Sequence, residues 1–376
     1  MGRRIGYLVH DLMDPAVARR IAVFRTGGAE VAVAGFQRAD LTGRGLPAPD
    51  ALSLGVTHDA RLAHRAGAVA RVLAGRMGGL TRHLHDADAL VARNLEMLVI
   101  AASVARRLPN RPRLVYECLD LHRLLLSEGG AGAVFRGIER RLARSVDLVI
   151  TSSPAFVDRH LGRAFEGSEM LLVENKVFGP GPAERAAETP PGPAWRIGWF
   201  GALRCRRSLD LLRKLAMACG GKVEVILRGR PSTAIFPDLA SELDAVPNMR
   251  FEGPFRYPDD LAEIYGGVHF AWSMDFYEAG QNSSWLLPNR LYESGFHRTV
   301  PIAQAGVETG RFLGDLKIGA VLDEPIEEAL HQMFAGLTAQ DYQACLERAR
   351  GIPCQRWLLS PAECTQIVDT VCGRGR

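Results

Sequence analysis

Short apolar runs alternate with longer amphipathic stretches from the start of the chain. Residues 5–9 are apolar, Pro15 opens a helical pattern that stops at Gly27, and residues 30–35 are apolar again. A strand, a helix closed by glycine and a second strand form a βαβ unit, whose strands are parallel and whose crossover is right-handed. The N-terminal pattern therefore predicts a parallel sheet with helices on its faces.

The alternation continues along the chain with one interruption. Residues 179–193 are rich in proline and glycine and almost without apolar side chains, as in an exposed linker. Further strands are predicted at 89–91, 114–116, 147–151, 171–173, 196–201, 223–227, 249–253, 268–272, 300–303 and 320–322. The pattern predicts an α/β protein of two doubly wound, Rossmann-like halves.

The last helix has boundary signals at both ends. Ser360 and Glu363 have the spacing of a capping box, and Pro361 stands at the first helical position. Gly373 is the predicted stop.

Composition indicates a globular protein of more than one domain. Its 376 residues exceed what one core usually fills, and 23% charged with 47% apolar residues argues against disorder. The longest apolar run, residues 98–105, is far shorter than the roughly 20 residues of a membrane-spanning helix. Asp11 and Asp14 interrupt the stretch that a signal peptide would need, so we expect a cytoplasmic protein. The seven cysteines include no Cys-x-x-Cys pair, and we expect reduced thiols without a zinc site.

Positive charge is concentrated in the N-terminal half. Residues 1–172 contain 24 arginines and 17 acidic residues, whereas the whole chain has a net charge of +4. Within residues 61–85, basic and apolar side chains interleave as on a helix that lies on an anionic membrane surface. Nucleic acid is the rival partner, but without an aromatic residue for base stacking we expect no such binding. A solvated helix face is the simpler explanation. The basic residues are Arg61, His64, Arg65, Arg71, Arg76, Arg82, His83 and His85, and the apolar ones include Leu62, Val69, Val72 and Leu73.

Three arginines follow a glycine at the end of the first predicted strand of the second half. Gly201 permits close backbone approach, and Arg204 and Arg207 offer bidentate donors beside the N-terminus of the next helix. This combination suits a diphosphate group. The segment is not a G-x-G-x-x-G fingerprint, and the chain has no G-x-x-x-x-G-K-S/T loop, which disfavours ordinary dehydrogenases and ATPases. An arginine-rich turn without a ligand is the alternative.

Residues 288–297 carry one carboxylate, Glu293, on a predicted helix that starts after a proline and ends at Gly295. A carboxylate near a helix start at the carboxyl edge of a sheet suits the two hydroxyls of a nucleotide ribose. A capped surface helix is the alternative.

A third segment, the loop 253–261, offers Phe255 or Tyr257 as a cover for a nucleobase. Aromatic packing within the domain explains the loop equally well. The phosphate turn, this loop and Glu293 fall at successive strand-to-helix edges of one predicted sheet.

On these segments, the second half resembles the donor-binding domain of retaining family 4 glycosyltransferases, which have the two-domain GT-B architecture. The resemblance covers residues 250–273, the turn at 200–212, and residues 287–306 with the motif Pro-Asn-Arg-Leu-Tyr-Glu. In the first half, "RLVYECLDLH", "IERRLARSVDLVITSS" and "LLVEN" resemble acceptor-domain strands. The resemblance implies two Rossmann-like domains facing across a cleft: an acceptor domain (1–175), a linker (176–194), a donor domain (195–354) and a C-terminal helix (355–376) that packs back on the first domain.

The resemblance also implies residue roles. The donor would be held by Glu293 at the ribose, by Asn289, Arg290 and Leu291 at the diphosphate, partly through backbone amides, and by Gly201 and Phe255. Catalysis would fall to Arg204 and Arg207, which neutralise the leaving diphosphate, and to His122, which faces the sugar from the first domain. Lone histidines after strands are more often structural.

Two positions depart from the family pattern. Trp285 stands where the outer glutamate that touches the transferred sugar would lie, eight residues before Glu293. That carboxylate is absent or replaced within residues 275–283. Gly201-Ala202-Leu203 replaces the usual Gly-Arg-Leu, and Arg204 is the obvious substitute for the missing arginine.

The implied reaction transfers a sugar from a UDP- or GDP-linked donor to a hydroxyl, with retention and without a metal or resident cofactor. The basic N-terminal half favours a lipid-linked saccharide acceptor at the inner membrane face, with the protein attached peripherally, as in exopolysaccharide or lipopolysaccharide assembly. A nucleotide-sugar epimerase and a non-catalytic nucleotide-sugar-binding protein are the alternatives. The sequence contains no signal for the oligomeric state.

Overall fold

The computed structural model describes residues 2–38, 50–57, 62–179, 189, 191–192 and 194–373. These residues divide into two compact units, the first formed by Met1–Glu174 with Ser360–Arg376 and the second by Asn175–Leu359. Each unit contains one parallel β-sheet flanked by helices, which confirms the predicted α/β class. Most of the predicted linker lies outside the described residues.

The first unit contains a seven-stranded sheet. Its strands are β1 (Arg3–Val9), β2 (Ala29–Arg38), β3 (Leu52–Thr57), β4 (Ala89–Arg93), β5 (Arg113–Glu117), β6 (Leu148–Thr151) and β7 (Glu169–Leu172). The order across the sheet is β3-β2-β1-β4-β5-β6-β7, and every neighbouring pair is parallel. The reversal of order between β1 and β4 is that of a doubly wound sheet.

Helices connect these strands. They are α1 (Pro15–Thr26), α2 (Leu62–Gly75), α3 (Met77–His83), α4 (Leu95–Ala105), α5 (Arg123–Leu126), α6 (Gly130–Ala143), α7 (Pro154–Phe156) and α8 (Gly162–Ala164), with a π-helical segment at Val157–Leu161. As predicted, α1 begins at Pro15 and is capped at Gly27, and the Asp14 side chain accepts from the amide of Ala16 at its start. The longest apolar run of the sequence falls in α4, which is buried against β4 and β5.

The second unit contains a six-stranded sheet. Its strands are β8 (Trp195–Leu203), β9 (Val223–Pro231), β10 (Met249–Phe251), β11 (Phe270–Trp272), β12 (Val300–Gln304) and β13 (Ala320–Leu322). Its helices are α9 (Arg206–Ala218), α10 (Leu239–Leu243), α11 (Leu261–Gly266), α12 (Asn282–Trp285), α13 (Asn289–His297), α14 (Glu308–Leu316), α15 (Ile326–Gly336) and α16 (Ala339–Arg350), followed by a 3-10 turn at Cys354–Arg356. The strand order is β10-β9-β8-β11-β12-β13, again doubly wound.

The last helix, α17 (Pro361–Cys372), belongs to the first unit. Its predicted ends are confirmed, because Ser360 and Glu363 form a capping box and Gly373 is a left-handed C-cap. It packs on α1 and on β5, and its Asp369 pairs with Arg3. The two ends of the chain therefore build one unit. None of the helices in the described residues is long and apolar enough to cross a membrane.

Two elements differ from the sequence prediction. β3 is absent from the predicted strands, because Gly55 interrupts its apolar alternation and the pairing with β2 shifts register between Gly35 and Phe36. The prediction that the helix at 288–297 ends at Gly295 is wrong, since α13 continues to His297. A Cβ on Gly295 would lie 2.5 Å from the indole of Trp357, so this glycine makes room for a buried ring.

Candidate functional site

The strand order of the second sheet reverses between β8 and β11, and ligands of such sheets bind beyond the carboxyl ends of the strands at this point. Arg204 follows β8 directly, and Asp275 lies three residues beyond the end of β11. Their side chains meet with a separation of 3.9 Å between Nη2 and Oδ2. The Arg204 guanidinium also lies over the ring of Tyr277, 4.9 Å from its centroid.

A second arginine reaches the same carboxylate from α13. Nη2 of Arg290 lies 3.8 Å from Oδ2 of Asp275 and donates to the carbonyl of Met274 at 3.1 Å. The Arg290 side chain is 12% exposed, and its Nε is buried without a hydrogen-bond partner in the part of the chain that the structure describes. Two guanidinium groups therefore share one carboxylate, which leaves an excess positive charge for an anion.

Asp275 is held in place by its own loop. Its Oδ1 accepts from the Ser283 hydroxyl at 3.2 Å and from the backbone amide of Tyr277 at 2.9 Å. The Ser283 hydroxyl in turn accepts from the amide of Glu278, whose carboxylate accepts from Asn282 at 2.7 Å. The region predicted to replace the outer glutamate is thus one hydrogen-bonded turn that presents Asp275 to the two arginines. Trp285, at the position of that glutamate, ends α12.

The other arginines of the turn point elsewhere. Arg207 pairs with Glu324 at 2.7 Å and lies over the ring of Phe276, and both charged groups are about half exposed. Arg206 pairs with Glu242 and lies over Phe236. Of the predicted catalytic arginines, the structure places Arg204 beside Arg290 and Asp275, and it places Arg207 in a solvent-exposed ion pair.

The backbone beside this turn needs glycine. Gly201 has a φ of +102°, a conformation that other residues rarely adopt. It pairs with Gly229 of β9, where a Cβ would lie 1.9 Å from the carbonyl oxygen of Gly201. The two strands therefore approach too closely for any side chain at Gly229, and the carboxyl end of β8 keeps an open backbone surface.

Glu293 lies in the second turn of α13 and is 7% exposed. Its Oε2 accepts a hydrogen bond from the Tyr265 hydroxyl at 2.8 Å. Burial, and after it the charge of Glu293, raises the pKa of Tyr265 well above its ordinary value, so the phenol stays a donor. The Tyr265 ring stacks on His297 and meets Phe200 edge-on. Glu293 is therefore a buried, oriented carboxylate and not part of a capped surface helix.

The remaining residues of the motif divide between surface and core. Asn289 is the first residue of α13, after the N-cap Pro288. Leu291 is fully buried in a cluster with Phe296 and Trp357, and its amide donates to the carbonyl of Pro288 at 3.0 Å. The predicted contact of Leu291 with a diphosphate thus has neither a side chain nor an uncommitted amide to support it.

Two predicted residues lie outside this cluster. Phe255 is partly buried and packs on the cluster of apolar residues that contains Phe200, which is the packing alternative of the sequence analysis. His122, in the first unit, is the N-cap of α5: its Nδ1 accepts from the amide of Leu124 at 3.2 Å, and its ring stacks on Phe135. Both arrangements are structural as they stand.

Sequence reasoning missed Tyr265 and named Asp275 only within a larger region. A signal existed for Asp275, because an acidic residue after a buried strand lies at the carboxyl edge of a parallel sheet. Tyr265 gives no such signal, since a tyrosine in an amphipathic helix is most simply explained by the core.

The chain is 44% identical over 373 residues to the succinoglycan biosynthesis protein ExoL of Rhizobium meliloti (strain 1021), and the match covers 97% of this chain and 92% of ExoL. No family model matches the chain. Its fold is similar to that of sucrose-phosphate synthase from Thermosynechococcus elongatus, with a TM-score of 0.72, 12% identity and 98% of both chains covered. It is also similar to HepE of Anabaena in complex with UDP and glucose, with a TM-score of 0.68, 14% identity and 99% of both chains covered.

The identity to ExoL along nearly the whole chain shows common family membership, and the structural matches extend over both units. The predicted fold of two doubly wound α/β domains is thereby confirmed. The chain belongs to the same family as ExoL and has the two-domain GT-B fold.

Proposed function

We propose that the protein transfers a sugar from a UDP-linked donor to a hydroxyl of a lipid-linked saccharide, in the assembly of an exopolysaccharide related to succinoglycan. The carrying observation is the convergence of Arg204 and Arg290 on Asp275 at the switch point of the second sheet. The name of ExoL supports the pathway, and the HepE complexes with UDP support the choice of base. The basic first half supports an acceptor at the inner membrane face, to which the protein is peripherally attached.

The diphosphate is the leaving group, so stabilising its developing charge is the main catalytic task. Arg204 and Arg290 supply that charge. When the diphosphate binds, it takes the place of Asp275 as the partner of Arg204, and Glu293 accepts from the ribose hydroxyls. Retention of configuration is part of the proposal, by analogy with family 4.

Because arginine supplies the positive charge, the reaction proposed here needs no metal. We expect turnover in about 5 to 10 mM EDTA to stay within about twofold of the turnover without the chelator. A loss of activity that Mg²⁺ or Mn²⁺ restores would contradict the metal-free form of the proposal.

Binding of UDP to single-residue variants tests the site. Arg204→Ala removes a half-exposed side chain and should weaken UDP binding about tenfold, because a charge-assisted contact is lost. Arg206→Ala is the matched control, since it lies in the same turn but faces Glu242. Isothermal titration with UDP, GDP, ADP and dTDP measures both effects and the base preference. Equal losses of UDP affinity in the two variants would overturn the assignment of the site. Tighter binding of GDP than of UDP would overturn the choice of base.

Product analysis separates the transferase from its alternatives. A transferase slowly releases UDP from the donor in the absence of acceptor, an epimerase forms an isomeric nucleotide sugar, and a binding protein does neither. We expect UDP release that Arg204→Ala slows and Arg206→Ala leaves unchanged.

A further inference from the structure

Helix α6 of the first unit exposes apolar side chains on its outer face. Val134 and Ile138 are 61% and 38% exposed, and Val134 is the most exposed large apolar residue among the described residues of this unit. Residues four apart lie on the same side of a helix, so the two side chains form one patch. The exposed Ala131 lies one turn before Val134 and extends the patch toward the start of the helix.

Positive charge follows the patch along the same helix. Arg140, Arg141 and the C-cap residue Arg144 are all exposed. Glu139, the one acidic residue of α6, is 1% exposed, and its carboxylate lies 2.9 Å from Nε2 of His160. The outer face of α6 therefore combines apolar groups with arginines and presents no carboxylate of its own.

The stretch that the sequence singled out, residues 61–85, is arranged differently. Val72 is 1% exposed, and Val69 and Leu73 are partly buried, because α2 packs on α4 and β3. Arg61 and the side chain of Leu62 lie outside the described residues. Val69, Val72 and Leu73 thus pack toward the core, and the exposed Arg71, Arg76 and Arg82 form a solvated face.

We propose that the α6 face, defined by Val134, Ile138, Arg141 and Arg144, binds the surface of an anionic lipid bilayer. Apolar side chains on such a face enter the boundary between headgroups and acyl chains, and the arginines bind the headgroup phosphates. Charge complementarity favours this occupant. The proposal rests on the proposed function in one respect, because an acceptor linked to lipid is reached at such a surface.

Vesicle co-sedimentation tests the proposal with the full chain. We expect the full chain to bind vesicles of phosphatidylcholine with about 30 to 40% phosphatidylglycerol, which present a strongly anionic surface. This binding should weaken as added salt screens the charges. The double variant Val134→Ser/Ile138→Ser should bind about tenfold more weakly. Arg141→Glu/Arg144→Glu should lose a similar factor together with most of the salt dependence.

Two controls match these variants. Met217→Ser removes an equally exposed apolar side chain, 64% exposed, from the second unit and should bind vesicles as the unaltered chain does. Arg71→Glu/Arg82→Glu reverses two exposed charges within residues 61–85. It should lower the affinity for vesicles less than Arg141→Glu/Arg144→Glu does.

The proposal is overturned if the unaltered chain fails to bind anionic vesicles at low salt, or if Val134→Ser/Ile138→Ser binds as well as Met217→Ser. A dimer that Val134→Ser/Ile138→Ser dissociates, without vesicle binding, would assign the face to a second copy of the chain and also overturn it. UDP titration of each variant keeps this result separate from the proposed function, since the donor site is in the other unit. Vesicle binding without UDP binding would leave the α6 face standing and remove the donor site.

Discussion

Two buried tyrosines make the same contact in different units. Tyr265 donates to Glu293 at 2.8 Å in the second unit, and Tyr7 donates to Glu117 at 2.5 Å in the first. Both phenols are buried, and replacing either tyrosine by phenylalanine removes one hydrogen bond to a carboxylate. Only Glu293 lies on the motif that the proposed function assigns to the donor ribose, so the pair separates stability from binding.

We expect Tyr265→Phe to weaken UDP binding about fivefold or more, because Glu293 loses the donor that orients it. Each variant should lower the free energy of unfolding by about 1.5–3 kcal/mol, because each loses a hydrogen bond to a charged group. Tyr7→Phe should leave UDP affinity unchanged. Thermal unfolding and UDP titration of both variants supply the two readouts. If Tyr265→Phe lowers stability alone, Tyr265 is structural and does not position Glu293 for a ligand.

At the scale of the element, α13 shows how far the sequence predicts. Its start after Pro288 and its carboxylate were predicted, because proline and a polar first turn are local signals. Its end was not, because Gly295 has its role through Trp357, which lies 62 positions further along the chain. A glycine that stops a helix and a glycine that admits a neighbouring ring look the same in a sequence.

The same limit applies to the sheets and to the site. The buried strands are continuous apolar runs and were predicted, whereas β3, an edge strand with Gly55 inside it, was not. Arg204 could be predicted from its position after a strand. The contact between Arg290 and Asp275, and the one between Tyr265 and Glu293, depend on how α13 lies against β11 and α11. No local pattern contains that information.

Gly295→Ala tests the tight contact of α13 with Trp357. We expect a loss of about 1–3 kcal/mol, because the new methyl group overlaps the indole and neighbouring side chains must shift. Gly314→Ala is the matched control: it lies in α14, where a Cβ would meet no neighbouring atom within 4 Å, and it should be neutral or stabilise by up to about 1 kcal/mol. Chemical denaturation of both variants compares them. Equal stability of the two would show that α13 can move away from Trp357 without cost.

At the scale of the whole molecule, each unit has its own buried polar network. In the first unit, Glu117 is fully buried and accepts from Arg20 at 2.6 Å, from Arg93 at 3.4 Å and from Tyr7. Arg93 also reaches Asp14 at 3.3 Å. This cluster joins β1, α1, β4 and β5, so its loss affects the first unit, while the groups around Asp275 and Glu293 belong to the second.

Acid therefore acts on the first unit through Glu117. Burial alone would raise the pKa of Glu117, but Arg20, Arg93 and the hydrogen bond from Tyr7 outweigh it and hold the pKa below its ordinary value. A carboxyl group whose pKa is lowered by folding contributes its full stability above its unfolded pKa of about 4.3, and this contribution is lost as the pH falls through the lower, folded pKa. The stability of the first unit should thus decline below about pH 5 in part through this one group.

Glu117→Gln tests this coupling. At pH 7 we expect the first unit to lose about 3–5 kcal/mol, because two buried guanidinium groups lose their shared carboxylate, and we expect its decline below pH 5 to be shallower than in the unaltered chain. Glu242→Gln, which breaks the exposed pair with Arg206 in the second unit, should change stability by less than about 1 kcal/mol.

Calorimetry with and without UDP measures both effects, over a range from about pH 7 to about pH 3.5 that includes the ordinary carboxyl pKa. UDP assigns each transition to a unit, because it stabilises only the unit that binds it. A Glu117→Gln protein with the same acid dependence as the unaltered chain would show that other carboxylates carry the effect. A transition of the first unit that rises with UDP would show that the two units unfold together.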